Sequence, residues 1–217
     1  IWTMEELCRQ IFVKERLLVD YTGTMEGYQE VENICQMLYD VLPSKKEGKG
    51  TLISPNCEVL NEAFKTSGQV QFVCRAGNFA KKGLVYTGAL KVLRVMMGYD
   101  YLWNNVRVKG GAYGCSSSFL RTGDSYFTSY RDPNLGKTNE VYNKIPEYIR
   151  KFKADEREMT KYIIGTLGAM DAPLYPEGKG QRAITAYMKK LSLEELQAER
   201  DEILGATDAD IRALADL

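Results

Sequence analysis

The segment that most limits the fold of this chain is a nearly continuous apolar run over residues 84–97. Leucine, valine, alanine and methionine lie on every side of its helical projection. A helix that is apolar all round is buried, so other elements must cover it on several sides. The sequence therefore predicts a central helix enclosed by the segments that precede and follow it.

Two pairs of alternating segments flank this helix and predict antiparallel strands. Before it, residues 57–65 and 69–77 form an expected hairpin with Ser67-Gly68 as the turn. After it, residues 112–120 and 125–131 form a second expected hairpin. A further short buried strand is expected over 15–21.

The remaining periodic segments predict helices. The apolar stripe over 141–152 contains Pro146, which predicts a kink or a break. Ser192 followed by Glu195 is a capping box at the start of a helix. The other expected helices cover residues 3–12, 24–42, 155–168, 177–190, 192–204 and 208–216.

Charge density separates the chain into a strand-rich front, 1–136, and a helical back, 137–217. The front holds 30 charged residues and the back holds 28, or about 22% against about 35%. Strands followed by a run of helices indicate an α+β fold, with an antiparallel sheet packed by helices on one face. We expect residues 1–217 to form a single domain. Because the first residue is Ile1, we also expect a piece of a longer protein.

Composition excludes several classes of function. The chain has no histidine, so it cannot supply a Ser-His or Cys-His pair or a histidine ligand to a metal. Lys plus Arg and Asp plus Glu both number 29, and this zero net charge argues against a nucleic-acid-binding module. No apolar stretch reaches the length of a membrane span, so no membrane partner is expected.

Five cysteines occur at positions 8, 35, 57, 74 and 115, without C-x-x-C spacing. An odd number with this spacing indicates neither a disulfide framework nor a zinc site. We expect buried free thiols in a reducing compartment.

The most unusual segment is VRVKGGAYG over 106–114, which has three glycines in five residues. Glycine allows a sharp bend or the close approach of a ligand. A phosphate-binding loop is one interpretation, but no Walker or G-x-G-x-x-G pattern supports it. The alternative is a flexible link between a helix and a strand. Arg107 and Tyr113 border these glycines and could hold a peptide carbonyl, or could simply be an exposed ion pair and a core tyrosine.

Three other segments have plainer interpretations. Arg131-Asp132-Pro133-Asn134 is expected to start the next helix. Ser116-Ser117-Ser118 has no base nearby and is interpreted as strand. The lysine-rich residues 45–49 are expected to form a solvated loop.

With VRVKGGAYG followed by GDSYFTSYRDPNL, the chain resembles the C-terminal part of presequence-protease-like zinc peptidases, in the pitrilysin and insulin-degrading-enzyme superfamily (insulinase family). LLVDYTGT, QVQFVCRAGNF and YIIGTLGAMDAPLYPEGKG extend the resemblance over nearly the whole chain. It implies a metallopeptidase-half fold, similar to LuxS and to mitochondrial processing peptidase. It also implies four related domains that close around a peptide, with zinc held by an H-x-x-E-H motif in the first.

The resemblance implies that this chain is the last domain, which binds no metal. Its partners would be a peptide substrate and the N-terminal catalytic half of the same polypeptide. The family's chamber-facing Arg and Tyr correspond to Arg107 and Tyr113, and Gly110 and Gly111 would let the substrate backbone pass close. A bacterial protein of this kind is expected in the cytoplasm, and a eukaryotic one in an organelle matrix.

Two alternatives stay open from the sequence. The chain could be a non-catalytic peptide-binding or assembly domain of a zinc-free relative. A small-molecule enzyme that uses the glycine-rich loop is a third interpretation.

Overall fold

The computed structural model describes residues 2–44 and 61–216. Backbone contacts divide the chain into two units, residues 1–64 with 173–191 and residues 65–172 with 192–217. The described residues form helices α1 (Trp2–Ile11), α2 (Met25–Val41), α3 (Ala89–Met96), α4 (Leu135–Asn143), α5 (Ile145–Arg150), α6 (Glu156–Met170), α7 (Pro176–Met188), α8 (Leu193–Leu204) and α9 (Asp208–Ala213), and strands β1 (Gln71–Asn78), β2 (Gly114–Phe119) and β3 (Asp124–Asp132).

The first unit contains α1, α2 and α7. Helix α7 passes close to the segment between α1 and α2. The approach requires the buried Gly180, since a Cβ atom there would collide with the Thr22 side chain. The strand predicted over 15–21 is wrong. Lys14–Arg16 form a single 3₁₀ turn and the following residues are irregular. A strand needs a partner for its N–H and C=O groups, and the described residues offer none here.

The second unit is built on a three-stranded antiparallel sheet in the order β1-β3-β2. Strands β2 and β3 form the predicted hairpin, whose loop over residues 120–123 ends at Gly123 with φ +88°. The hairpin predicted over 57–65 and 69–77 does not form in the described residues, where β1 pairs with β3. Residues 61–65 are irregular, and 57–60 lie outside the described part of the chain. The turn residues Ser67-Gly68 predicted pairing between adjacent segments, but the partner of β1 is more than 40 residues away in the sequence.

Side chains alternate across the sheet as predicted. In β1 Val73 is buried and Arg75 is half-buried, whereas Phe72, Cys74 and Ala76 are exposed. Helices therefore cover one face of the sheet and leave the other open, which confirms the α+β prediction.

Helix α3 is the centre of the core, and five of its eight residues are buried. Its predicted start at residue 84 is too early, and its predicted end at 97 is too early as well. The helix continues through the π-helical segments Met97–Tyr101 and Trp103–Val108. Polar and glycine residues over 98–105 hid this continuation in the sequence.

The predicted helix boundaries of the second unit are mostly confirmed. The break near Pro146 falls between α4 and α5, with proline in the first turn of α5. The capping box at Ser192 and Glu195 is present at α8.

The expectation of buried cysteines is wrong for the described residues. Cys8 and Cys74 are exposed, and Cys35 and Cys115 are half-buried free thiols. Cys74 is on the open face of the sheet, so strand alternation placed it outside. Cys57 lies outside the described residues.

Candidate functional site

The candidate site is the junction at which the long central helix ends and β2 begins. The helix stops at Gly111, which has φ +80° and whose N–H donates to the Arg107 carbonyl oxygen at 2.8 Å. A glycine in this left-handed conformation is a common end of a helix. The turn fixes the positions of Arg107 on the last turn and of Tyr113 at the start of the strand.

The two glycines in this turn are required for different reasons. A Cβ atom at Gly110 would overlap the carbonyl oxygen of Val106. A Cβ atom at Gly111 would have room, but its positive φ disfavours any other residue. The Gly110 carbonyl oxygen also accepts a hydrogen bond from the Asn134 side chain. The turn is therefore tied to the start of α4.

Arg107 is exposed, and its guanidinium carbon lies 4.0 Å from the centre of the Trp103 ring. The two residues are four apart, so they lie on the same side of the helix. Stacking uses the face of the guanidinium and leaves the N–H groups at its edge available to a ligand. Trp103 therefore orients Arg107 without using up its donors.

Tyr113 directly precedes β2, as predicted for a residue that starts the strand. Its N–H donates to the Tyr130 carbonyl oxygen at 3.0 Å, and its ring meets the Tyr130 ring edge to face at 5.8 Å between centres. The side chain is 68% exposed. No residue in the described ranges hydrogen-bonds to its hydroxyl, so this O–H faces outward.

A β-bulge in β3 lies opposite Tyr113. Arg131 has φ +47°, and the pairing of β1 with β3 slips by one residue there. The extra residue turns Asp132 into the interior, where its carboxylate accepts from the Asn134 N–H at 2.8 Å and the Thr138 hydroxyl at 2.6 Å. The carboxylate thus stabilises the first turn of α4, and the prediction that residues 131–134 start a helix is confirmed.

The junction is rich in cations. Arg107, Lys109 and Arg131 are all exposed, and none of them forms an ion pair with a carboxylate of the described residues. Burial raises the pKa of the nearby Cys115 thiol, while the positive charge of Arg107 partly opposes that shift. The Cys115 side chain therefore stays a neutral thiol near neutral pH.

The phosphate-loop interpretation does not fit this geometry. The N–H groups of Lys109, Gly111 and Ala112 donate to carbonyl oxygens of the preceding helix. A phosphate cradle needs such N–H groups free, at a helix N-terminus. Here the glycines close a C-terminus, where the helix dipole is negative.

The structure therefore brings Arg107 and Tyr113 to one exposed junction, with Gly110 and Gly111 between them. Sequence reasoning missed Trp103, Tyr130 and the bulge at Arg131. The Trp103–Arg107 pair could have been found from its four-residue spacing, but the predicted helix ended before it. The bulge has no sequence signal that we recognise.

No group of three or more metal-ligating side chains occurs within residues 2–44 and 61–216. Of the helices in those ranges, none combines the length and the apolar character needed to cross a bilayer.

Comparison with known proteins identifies relatives of this chain. Residues 61–217 match the family described as PreP C-terminal domain. The chain is 43% identical over 207 residues to protein HypA of Clostridium perfringens, covering 94% of this chain and 21% of that protein. It is 31% identical over 214 residues to presequence protease 1, chloroplastic/mitochondrial, of Arabidopsis thaliana, covering 98% and 20%. The chain thus spans about a fifth of the length of these relatives.

Solved structures share the fold. A protease from Helicobacter pylori superposes with a TM-score of 0.59 at 16% identity, over 87% of this chain and 49% of that one. A peptidase M16 inactive domain from Pseudomonas fluorescens gives 0.57 at 14% identity, over 86% and 46%.

Proposed function

The chain belongs to the PreP C-terminal domain family, and from this premise we propose that it forms the substrate-chamber part of a zinc metalloendopeptidase that degrades unstructured peptides. The relative from Arabidopsis is named a presequence protease, which supports a peptidase. In this proposal zinc is held by another domain, and the N-terminal catalytic half of the same polypeptide is the partner. That zinc would supply an activated water as nucleophile. The compartment would be the cytoplasm in a bacterium and an organelle matrix in a eukaryote.

The observation that carries the proposal is the exposed pair of donors at the junction. Attack on a peptide bond moves negative charge onto the scissile carbonyl oxygen. The Tyr113 hydroxyl and the Arg107 guanidinium edge are donors that no described residue uses, so both can stabilise this charge. Gly110 and Gly111 leave the adjacent surface without side chains, so a substrate backbone can pass close.

The test is a pair of substitutions in the full-length protein. Tyr113→Phe removes only the O–H and should lower turnover by roughly a hundred- to a thousandfold. Arg107→Ala should lower turnover and also weaken peptide affinity, because arginine also binds ground-state carbonyls. Zinc content and melting temperature should not change, since both side chains are exposed.

Tyr99→Phe is the matched control, because Tyr99 is equally exposed at 68%. It should leave turnover unchanged. Near-normal activity in both Tyr113→Phe and Arg107→Ala would make the pair structural and refute their proposed roles.

By itself the 217-residue chain should neither bind zinc stoichiometrically nor cleave peptides. Zinc needs about four closely placed ligands, and the chain has no histidine. Adding the missing N-terminal half should restore some turnover. Metal analysis with one zinc per chain, or chelator-insensitive cleavage by the purified chain, would contradict the assignment.

The second candidate is a non-catalytic peptide-binding or assembly domain, which the lack of histidine also permits. The upstream sequence separates the two. An H-x-x-E-H motif supports the peptidase, and its absence supports the non-catalytic relative.

A further inference from the structure

A pocket of about 280 Å³ lies on the helix-covered side of the sheet in the second unit. Strands β1 and β3 form its floor, and α4, α5 and the chain near Leu214 surround it. Its size is close to the lower end of small-molecule sites. The walls are mainly apolar, with Phe119, Phe127, Ile145, Pro146 and Ile149 among the lining residues.

Arg75 is the charged residue of this pocket. Its guanidinium donates to the amide oxygens of Asn143 and, at 3.3 Å, of Asn139. Both acceptors are neutral, so neither compensates the positive charge. Two of the five guanidinium N–H groups are used, which leaves donors for a further acceptor.

Among the half-buried arginines of the second unit's described residues, Arg75 alone has no carboxylate partner. The other two half-buried arginines each pair with a carboxylate: Arg200 with Asp171 and Arg212 with Asp208. No Asp or Glu among residues 2–44 and 61–216 forms such a pair with Arg75. A cation next to apolar walls is poorly solvated, and an anion that binds to it neutralises its charge.

We propose that this pocket binds a carboxylate that carries an apolar chain about the size of one amino-acid residue. The carboxylate would accept from the Arg75 N–H groups, which match it in planar geometry. The apolar chain would pack on Phe127, Ile145 and Ile149. A peptide's C-terminal residue and a short fatty acid share this chemistry.

The site does not depend on the peptidase function. Tyr113 packs on Tyr130, whose ring lies 5.1 Å from that of the exposed Phe72, and the pocket is on the opposite side of the sheet from Phe72. Loss of binding here and loss of turnover through Tyr113 would therefore be separate results.

The experiment measures binding of three probes to the full-length protein by calorimetry. N-acetyl-leucine represents the peptide end and octanoate represents the fatty acid. N-acetyl-leucinamide has the same shape as the first probe but no charge. We expect one or both carboxylates to bind in about the millimolar range, as their size allows, and the amide to bind about tenfold more weakly or not at all. The carboxylate that binds more tightly shows whether the pocket prefers a peptide end or a fatty acid.

Two variants locate the binding. Arg75→Met keeps an unbranched apolar stem and removes the guanidinium with its charge, so carboxylate binding should fall about tenfold or more. Gly77→Leu should block the pocket, because a Cβ atom at Gly77 meets no atom within 4 Å and Gly77 lines the cavity. Arg157→Met, on the exposed surface of α6, is the control and should change nothing.

Melting temperatures report whether each variant folds. If Arg75→Met does not fold, Gly77→Leu provides the test. Equal binding of the amide, no carboxylate binding at millimolar concentration, or undiminished binding in a folded variant would each overturn the proposal.

Discussion

Helices α2 and α3 both carry apolar residues, along one face in α2 and on every side in α3, and they stand at opposite extremes of burial. No residue of α2 is buried, and Met37 on it is 69% exposed. In α3 five of eight residues are buried, and Met96 is fully inaccessible. Helix α2 belongs to the first unit and α3 to the second. The all-round apolar pattern of α3 thus predicted its burial, whereas the one-sided pattern of α2 predicted that a helix forms but not whether a core covers it.

The largest expected effect tests this difference with one substitution at two sites. Met96→Ala removes a fully buried side chain and should destabilise the second unit by about 2–5 kcal/mol. Met37→Ala removes an exposed one and should change stability by less than about 0.5 kcal/mol. Hydrogen exchange of the amides in each helix measures both. Similar losses at the two sites would show that α2 is covered in the protein.

A smaller effect is expected at the buried carboxylate Glu199, which is 4% exposed and pairs with Lys91 and Arg121. Glu199→Gln should destabilise the second unit by about 2 kcal/mol, because it leaves the charges of Lys91 and Arg121 uncompensated. The loss is limited because both cations are about one-third exposed to solvent. Glu30→Gln on the exposed surface of α2 is the control and should be neutral. Urea unfolding compares them, and equal midpoints would mean that Glu199 is not a structural link.

A pH effect follows from a half-buried tyrosine of the second unit. Burial, followed by the charge of Asp100, raises the pKa of Tyr148 to about 12 from 10.0. The folded state therefore holds this proton more tightly than the unfolded state. The resulting stability is fully present below pH 10 and is lost as the pH rises toward 12.

Tyr148→Phe should flatten the alkaline loss of stability over this range. Thermal melts of both proteins from pH 9 to pH 12 provide the measurement. Parallel curves for the two proteins would show that Tyr148 titrates alike in both states.

The smallest effects are expected at glycines. Gly111→Ala should destabilise by about 1 kcal/mol, because φ is +80° there. Gly168→Ala in α6 should stabilise by about 0.5–1 kcal/mol, because its Cβ atom would have open space in a helix. Chemical denaturation should give opposite signs, and the same sign at both sites would contradict the conformational argument.

The site could be predicted only in part. Motif resemblance selected Arg107 and Tyr113, and the structure exposes both at one junction. The stacking of Arg107 on Trp103 was not predicted, because polar residues masked the π-helical extension of α3. The pocket at Arg75 was not predicted either, since its walls come from segments about 140 residues apart.

The sequence by itself determined the local structure of the second unit: the helix starts at Ser192 and Pro146, the β2–β3 hairpin and the buried centre of α3. These depend on capping, turn chemistry and periodicity between near neighbours. Only the tertiary structure decided that β1 pairs with β3, that Arg131 forms a bulge, that Cys74 faces outward and that residues 15–21 form no strand. Each depends on which distant segment supplies hydrogen bonds or covers a face, and short-range patterns carry no record of that partner.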